Sequence, residues 1–120
     1  MQFGTISNAI IFSQPFDLVF VDADKIRLME YIEACVANDN ILRPGGTILV
    51  DNVLWKGAVT EDKAEEEKGA GGGGRDIKRN RRKRKLAKIM HEFNENIVED
   101  HRVEVVVLPL RDGLSIIRKL

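Results

Sequence analysis

The chain has 120 residues, and its 19 Lys and Arg residues balance its 19 Asp and Glu residues, so bulk charge indicates no particular partner. This length suits one domain or part of a larger one. There is no run of about 18 apolar residues, so we expect no membrane span. The N-terminal stretch lacks the basic region and cleavage site of a signal peptide. The single cysteine, Cys35, excludes an internal disulfide framework and fits a reducing compartment, so we expect a cytoplasmic protein.

Strands and helices alternate in the first half of the chain. Residues 1–15 predict no clear element, whereas residues 16–21 form a near-continuous apolar run typical of a buried strand. From about Lys25 onward, apolar residues recur at helical spacing and predict an amphipathic helix with Cys35 on its apolar face. The sequence R-P-G-G at 43–46 predicts a turn, followed by a second buried strand at 47–50.

The second half begins with a long connection. Residues 53–77 are first acidic and then glycine-rich, and we treat 60–84 as a mobile acidic, glycine-rich and basic insertion within a single domain spanning 1–120. A helix with Leu86, Ile89, Phe93 and Ile97 on one face should follow the basic run at 78–88. Residues 103–108 and 114–117 predict a hairpin through the Asp-Gly turn at 112–113. The predicted fold class is therefore α/β, with two parallel strands plus an antiparallel hairpin.

Each of the first two strands ends in oxygen-bearing side chains. Asp22 and Asp24 follow the first strand, and Asp51 and Asn52 follow the second. A right-handed crossover makes these strands parallel, so their carboxyl ends lie at one sheet edge, where open α/β sheets bind ligands. Two carboxylates and an amide there predict a site for a divalent cation such as Mg²⁺ or Ca²⁺. Alternatively, the aspartates are ordinary strand-terminal acids that cap helices.

Three segments resemble the cation-dependent class I O-methyltransferases, which include caffeoyl-CoA and catechol O-methyltransferases. They are F-D-L-V-F-V-D-A-D-K at 16–25, L-R-P-G-G-T-I-L-V-D-N-V-L-W-K-G at 42–57, and residues 91–119. The resemblance implies the last four strands of a Rossmann-like, seven-stranded sheet flanked by helices. It is absent over 60–84. No acidic, glycine-rich turn precedes Phe16, so we expect much of the pocket for S-adenosylmethionine to be missing from these residues.

The resemblance implies transfer of a methyl group from S-adenosylmethionine to a hydroxyl of a small catechol-like or caffeoyl-type acceptor, assisted by a divalent cation. It assigns metal binding to Asp22, Asp51 and Asn52, the general base to Lys25, a cofactor contact to Asp24, and acceptor binding to Asp22, Trp55 and Lys56. Each assignment has a simpler alternative: Asp24 as a helix cap, Lys25 as a solvated first-turn lysine, and Trp55 as a core aromatic. Tyr31 matches one of two family tyrosines, and Leu28 replaces the other.

Two other classes of function stay open: a non-catalytic methyltransferase remnant and a basic nucleic-acid-binding module built on residues 78–88. Charge runs more often form a solvated helix face, and no interleaved aromatic residues support base stacking, so the sequence does not favour a nucleic-acid partner. We expect a small-molecule acceptor and no membrane partner, and the sequence is compatible with a homodimer. His91 and His101 have no paired ligands and should lie at the surface. The first strand, as an apolar edge, predicts self-association that Val19→Lys would reduce.

Overall fold

The computed structural model of the chain describes residues 14–54 and 74–120. The elements in chain order are β1 (Phe16–Val21), a 3₁₀ turn (Lys25–Arg27), α1 (Leu28–Ala37), β2 (Leu42–Asp51), α2 (Gly74–Glu99), β3 (Val103–Leu108) and β4 (Leu114–Lys119). None of the described helices is long and apolar enough to cross a membrane.

The four strands form one mixed sheet in the order β1-β2-β4-β3. β1 and β2 are parallel and are connected through α1, whereas β4 runs antiparallel to both β2 and β3. This arrangement confirms the predicted α/β class with two parallel strands and an antiparallel hairpin. The carboxyl ends of β1 and β2 consequently lie at the same edge of the sheet.

One face of the sheet carries the hydrophobic core, and both helices contribute to it. The strands contribute Val21, Ile48, Val50 and Ile117, α1 contributes Leu28, Ile32 and Val36, and α2 contributes Met90, Phe93 and Ile97. The predicted apolar face of α2 is thus correct at Phe93 and Ile97. Leu86 and Ile89 are only half-buried, because the buried stripe runs through Met90 and Ala87 instead.

The opposite face of the sheet is apolar, exposed on the outer strands and half-buried on the inner ones. The pairing register places Phe20, Leu49, Ile116 and Val106 in one row across all four strands. Phe20 and Val106 are 56% and 57% exposed, and Leu18 is 55% exposed. The prediction that β1 is a buried strand is therefore wrong for one of its faces. Val19 and Val21 pack against the core, while Leu18 and Phe20 point to the face that lacks this cover.

The R-P-G-G segment is part of β2 and not a turn before it. β2 begins at Leu42, and the pairing with β1 moves from Phe16↔Leu42 to Leu18↔Thr47. β2 therefore advances five residues while β1 advances two, so this segment bulges out of the ladder. Gly45 has a φ of 80°, a conformation that favours glycine. Proline and glycine here produce an irregular strand, which sequence rules for turns do not distinguish from a true turn.

α2 begins at Gly74, much earlier than predicted. The basic residues at 78–88 consequently lie inside the helix and do not precede it. Residues 74–84, which we assigned to a mobile insertion, belong to this helix, and residues 60–73 lie outside the described part of the chain. The single-domain boundary of 1–120 stays a prediction.

Candidate functional site

The site predicted at the strand ends begins with the register of β1 against β2. Val21 pairs with Val50, so the residues that directly follow them, Asp22 and Asp51, lie beside one another at the carboxyl edge of the sheet. Asp22 is exposed to solvent, whereas Asp51 and the following Asn52 are half-buried. The right-handed crossover argument therefore located these three side chains correctly relative to the sheet. Whether they bind a metal ion stays a prediction.

Lys25 reaches into this edge from the 3₁₀ turn. Its Nζ donates a hydrogen bond of 2.8 Å to the backbone oxygen of Asp51, and the side chain is half-buried. Burial lowers the pKa of Lys25 from its usual 10.5, while the charges of Asp22 and Asp51 oppose this shift. A lysine that has a fixed partner and a lowered pKa is not an ordinary solvated first-turn lysine. A lowered pKa favours the neutral amine, which is the form that a general base requires.

Asp24 caps the 3₁₀ turn. Its Oδ1 accepts a hydrogen bond of 3.0 Å from the backbone nitrogen of Ile26. The capping alternative considered for Asp24 is therefore present in the structure, and it fixes the start of the turn that carries Lys25. The side chain is exposed, and its assignment as a cofactor contact stays a prediction.

The chain turns sharply directly after β2. Asn52 has a φ of 60°, a left-handed conformation that asparagine tolerates better than most residues, and its backbone nitrogen donates a 2.8 Å hydrogen bond to Oδ1 of Asp51. Two carboxylates and an amide are hard oxygen donors that suit Mg²⁺ or Ca²⁺. Within residues 14–54 and 74–120, no three His, Cys, Asp or Glu side chains are grouped for a metal, so a cation here would depend on the amide of Asn52. Trp55 and Lys56 lie outside the described residues.

Three long-range hydrogen bonds hold the residues that follow Asn52, and we call this set the turn clamp. Leu54 N donates to Asp112 O at 2.8 Å, Val53 N donates to Gly113 O at 3.4 Å, and Asn94 Nδ2 donates to Val53 O at 3.0 Å. The hairpin turn and α2 therefore position the end of β2 and its site residues. The sequence analysis missed this role, because it treated 112–113 only as a turn and did not consider Asn94. Nothing local in the sequence indicates contacts between such distant segments.

The remaining residues that the sequence analysis singled out lie either against the core or at the surface. Tyr31 is partly buried against the core. Cys35 is buried, which confirms its predicted place on the apolar face of α1, and desolvation raises the pKa of its thiol. His91 and His101 are exposed, as predicted, and His91 lies 3.2 Å from Glu95 one helical turn away.

Comparison with known proteins gives a consistent result. The sequence profile of the O-methyltransferase family matches residues 6–120. Catechol O-methyltransferase domain-containing protein 1 of Mus musculus is 34% identical over 105 residues, and tricin synthase 2 of Oryza sativa is 37% identical over 107 residues. These matches cover 88% of this chain but only 32% and 31% of the relatives.

Solved structures share the fold. The SAH-bound methyltransferase PaMTH1 of Podospora anserina superposes with a TM-score of 0.70 at 26% identity, over 91% of this chain and 43% of that one. A putative caffeoyl-CoA O-methyltransferase from Staphylococcus aureus gives a TM-score of 0.66 at 23% identity, over 90% and 44% of the two chains. The chain thus spans about a third of its curated relatives and less than half of these structures. Because the profile match covers nearly all of its residues, the chain belongs to the O-methyltransferase family.

Proposed function

We propose that this chain carries the acceptor-activating part of an S-adenosylmethionine-dependent O-methyltransferase whose acceptor is a small catechol-like or caffeoyl-type hydroxyl compound. Family membership supports the reaction class. The single observation that carries the proposal is the environment of Lys25. A half-buried amine with a lowered pKa is held at the carboxyl ends of two parallel strands, beside Asp22 and Asp51. Open α/β sheets bind ligands at this position.

The proposed reaction transfers one proton to the enzyme and one methyl group to the acceptor. The neutral amine of Lys25 takes the proton of the acceptor hydroxyl, and the oxygen lone pair forms a bond to the methyl carbon of the sulfonium. The sulfur–methyl bond breaks, its electrons return to sulfur, and S-adenosylhomocysteine leaves. Lys25 becomes an ammonium group, which the backbone carbonyl of Asp51 stabilises by accepting its hydrogen bond. Fixing Lys25 in this position supplies part of the rate by proximity and orientation.

Asp22, Asp51 and Asn52 would hold the divalent cation in this proposal. The donor chemistry fits, since all three offer oxygens and Asp51 has one carboxylate oxygen already oriented by the backbone of Asn52. A bound cation would orient the acceptor oxygens and favour their deprotonated form. Asp24 is proposed to contact the cofactor, and Trp55 and Lys56 are proposed to border the acceptor pocket together with Asp22.

The cation site can be tested on the chain itself. Titration with Mn²⁺, followed by electron paramagnetic resonance, should show one site that is lost in Asp51→Asn and weakened at least tenfold in Asp22→Asn. Asp17→Asn is the matched control, because Asp17 lies in β1 before Asp22 and its exposed side chain pairs with Arg43. Equal Mn²⁺ binding by all four proteins would refute the assignment of the ligands.

The reaction is best tested in a chimera, since the chain covers less than half of its solved relatives. This chain replaces the matching 43% of the Podospora methyltransferase, and methyl transfer to catechol and caffeoyl-CoA is measured. Lys25→Met should lower kcat by about 10²–10⁴. Lys88→Met is the control, because Lys88 is exposed and lies near Glu92 on α2. A chimera that melts cooperatively but transfers no methyl group would favour a non-catalytic remnant and overturn the proposal.

A further inference from the structure

The first described turns of α2 form a cationic surface that the proposed methyltransferase chemistry does not use. Seven of the eight residues from 78 to 85 are Lys or Arg, and Asn80 is the exception. All eight are exposed, and the helix first becomes buried at Ala87. We call residues 78–85 the basic arm. At a rise of about 1.5 Å per residue, the arm is about 12 Å long.

Among residues 14–54 and 77–120, whose side chains the structure describes, none of the seven cations of the basic arm forms an ion pair. Other exposed cations of the same molecule do find partners: Lys88 lies 3.9 Å from Glu92, and Arg118 lies 3.3 Å from Glu104. Because a helix turns by about 100° per residue, the seven side chains point in all directions around the axis. Arg81, for example, has Arg84 and Lys85 as its neighbours one turn away. Such like-charge neighbours destabilise a helix, so an anionic ligand would stabilise the arm.

The charge of the chain is strongly separated. The whole chain has 19 basic and 19 acidic residues, so the seven cations of the arm leave twelve elsewhere against all 19 acids. The remainder of the molecule therefore repels a polyanion while the arm attracts it. A polyanion would consequently contact the molecule at the arm and not over the sheet.

We propose that the basic arm binds the phosphate backbone of duplex DNA. Phosphates line both walls of the major groove, which is about 12 Å wide and admits an α-helix, so cations on all sides of one helix can find partners there. A bilayer touches a helix from one side, so it would leave the cations on the other side without a partner, and the arm has no apolar residue to insert into it. The arm also has no aromatic residue for stacking on single-stranded bases. Recognition through phosphates predicts binding that does not depend on base sequence.

The test is fluorescence anisotropy of a labelled 20-base-pair DNA duplex titrated with the full 120-residue chain at several salt concentrations. With five to seven phosphate contacts, affinity should fall by about 500- to 6,000-fold from 50 to 200 mM salt. Arg81→Gln/Arg84→Gln should reduce the slope of log affinity against log salt by about 2. The matched control is Arg43→Gln/Arg118→Gln, which removes two exposed arginines that are paired with Asp17 and Glu104. It should leave the slope unchanged.

Several results would overturn the proposal. They are no binding to the duplex at 50 mM salt, equal losses in the arm variant and the control, or tighter binding to a single strand or to phosphatidylserine vesicles than to the duplex. Because the altered side chains are exposed, both double variants should melt at the temperature of the parent, and this is measured alongside. A second readout is circular dichroism at 222 nm. Duplex DNA should increase the helical signal of the parent and increase it less in the arm variant.

Discussion

The turn clamp makes a quantitative prediction at Gly113. This residue has a φ of 88°, and an added Cβ would lie 2.6 Å from Cγ and 2.9 Å from the backbone nitrogen of Leu54. That nitrogen donates to Asp112 O at 2.8 Å, so the added atom would meet the hydrogen bond that holds the residues after Asn52. Gly113→Ala should therefore both destabilise the chain and displace the end of β2 from the hairpin turn.

The magnitude follows from two separate effects. A left-handed backbone costs a residue with a Cβ about 1–2 kcal/mol. Forcing an extra carbon into a packed contact costs about 1–3 kcal/mol more, because one of the obstructing atoms is the backbone nitrogen of Leu54, which cannot move away freely. Gly45→Ala is the matched control, because Gly45 has a similar φ of 80° but its added Cβ would meet only Arg43 Nη1, at 3.5 Å. The difference between the two variants, about 1–3 kcal/mol, isolates the close approach to Leu54.

Urea unfolding followed by circular dichroism measures both variants. Gly113→Ala should lose more free energy of unfolding than Gly45→Ala by the stated difference, with a similar denaturant slope. The amide of Leu54 should also exchange with solvent faster in Gly113→Ala and at the parental rate in Gly45→Ala. Equal losses of stability, or an unchanged Leu54 amide, would show that the hairpin turn does not hold this segment as the structure indicates.

Four further predictions follow. Lys119 is 4% exposed, its Nζ donates to Cys35 O at 3.1 Å and Leu42 O at 2.8 Å, and it pairs with Asp39 Oδ1 at 2.7 Å. Lys119→Met should therefore lower the free energy of unfolding by about 2–4 kcal/mol in a urea titration, whereas the exposed Arg118→Met should change it little. Burial lowers the pKa of Lys25, so between that lowered pKa and 10.5 the unfolded chain binds more protons than the folded chain. The contribution of Lys25 to the free energy of unfolding should therefore rise with pH through this window. Urea titrations at several pH values should show this rise in the parent and not in Lys25→Met. Phe20→Lys should reduce the self-association that light scattering measures, because Phe20 is exposed. Val19→Lys, which we favoured from the sequence, should instead unfold the chain, because Val19 packs against the core. A parent chain that is monomeric at high concentration would contradict the predicted self-association. The isolated chain should bind S-adenosylmethionine weakly or not at all, and low-micromolar binding by calorimetry would contradict the expectation that much of the cofactor pocket lies outside these residues.

Local patterns in the sequence predicted most of the fold. The apolar run before Asp22, the helical spacing from Leu28 and the Asp-Gly turn each report on neighbours within a few residues. One general rule, the right-handed crossover, was then enough to bring Asp22 and Asp51 to the same sheet edge. The position of the candidate site could therefore be predicted because it depends on topology and not on the details of packing.

The features that could not be predicted depend on contacts between distant segments. Lys119 is buried because the carbonyls of Cys35 and Leu42 and the carboxylate of Asp39 surround its ammonium group, and no local pattern indicates this. Asn94 lies on a charged stretch of α2, yet its amide holds Val53 at the end of β2. The burial of β1 also depends on what covers each face of the sheet. An alternating and a continuous apolar strand cannot be separated when both faces have apolar residues, as at 18–21.

The exposed apolar row across the sheet is consistent with the partial coverage of the family fold. Phe20, Leu49, Ile116 and Val106 cross all four strands in register, and described helices pack only against the other face. A sheet with helices on both faces buries both of them, so an apolar row on this face is typical of a surface that packs against further residues. The solved relatives contain more than twice the matched length, so more than half of their residues lie outside the match. The proposed proton acceptor and cation ligands lie at the carboxyl edge instead, where the described residues alone position them through Lys25, Asp51 and the turn clamp. Covering the apolar row should consequently increase the stability of the chain much more than it alters the geometry around Lys25.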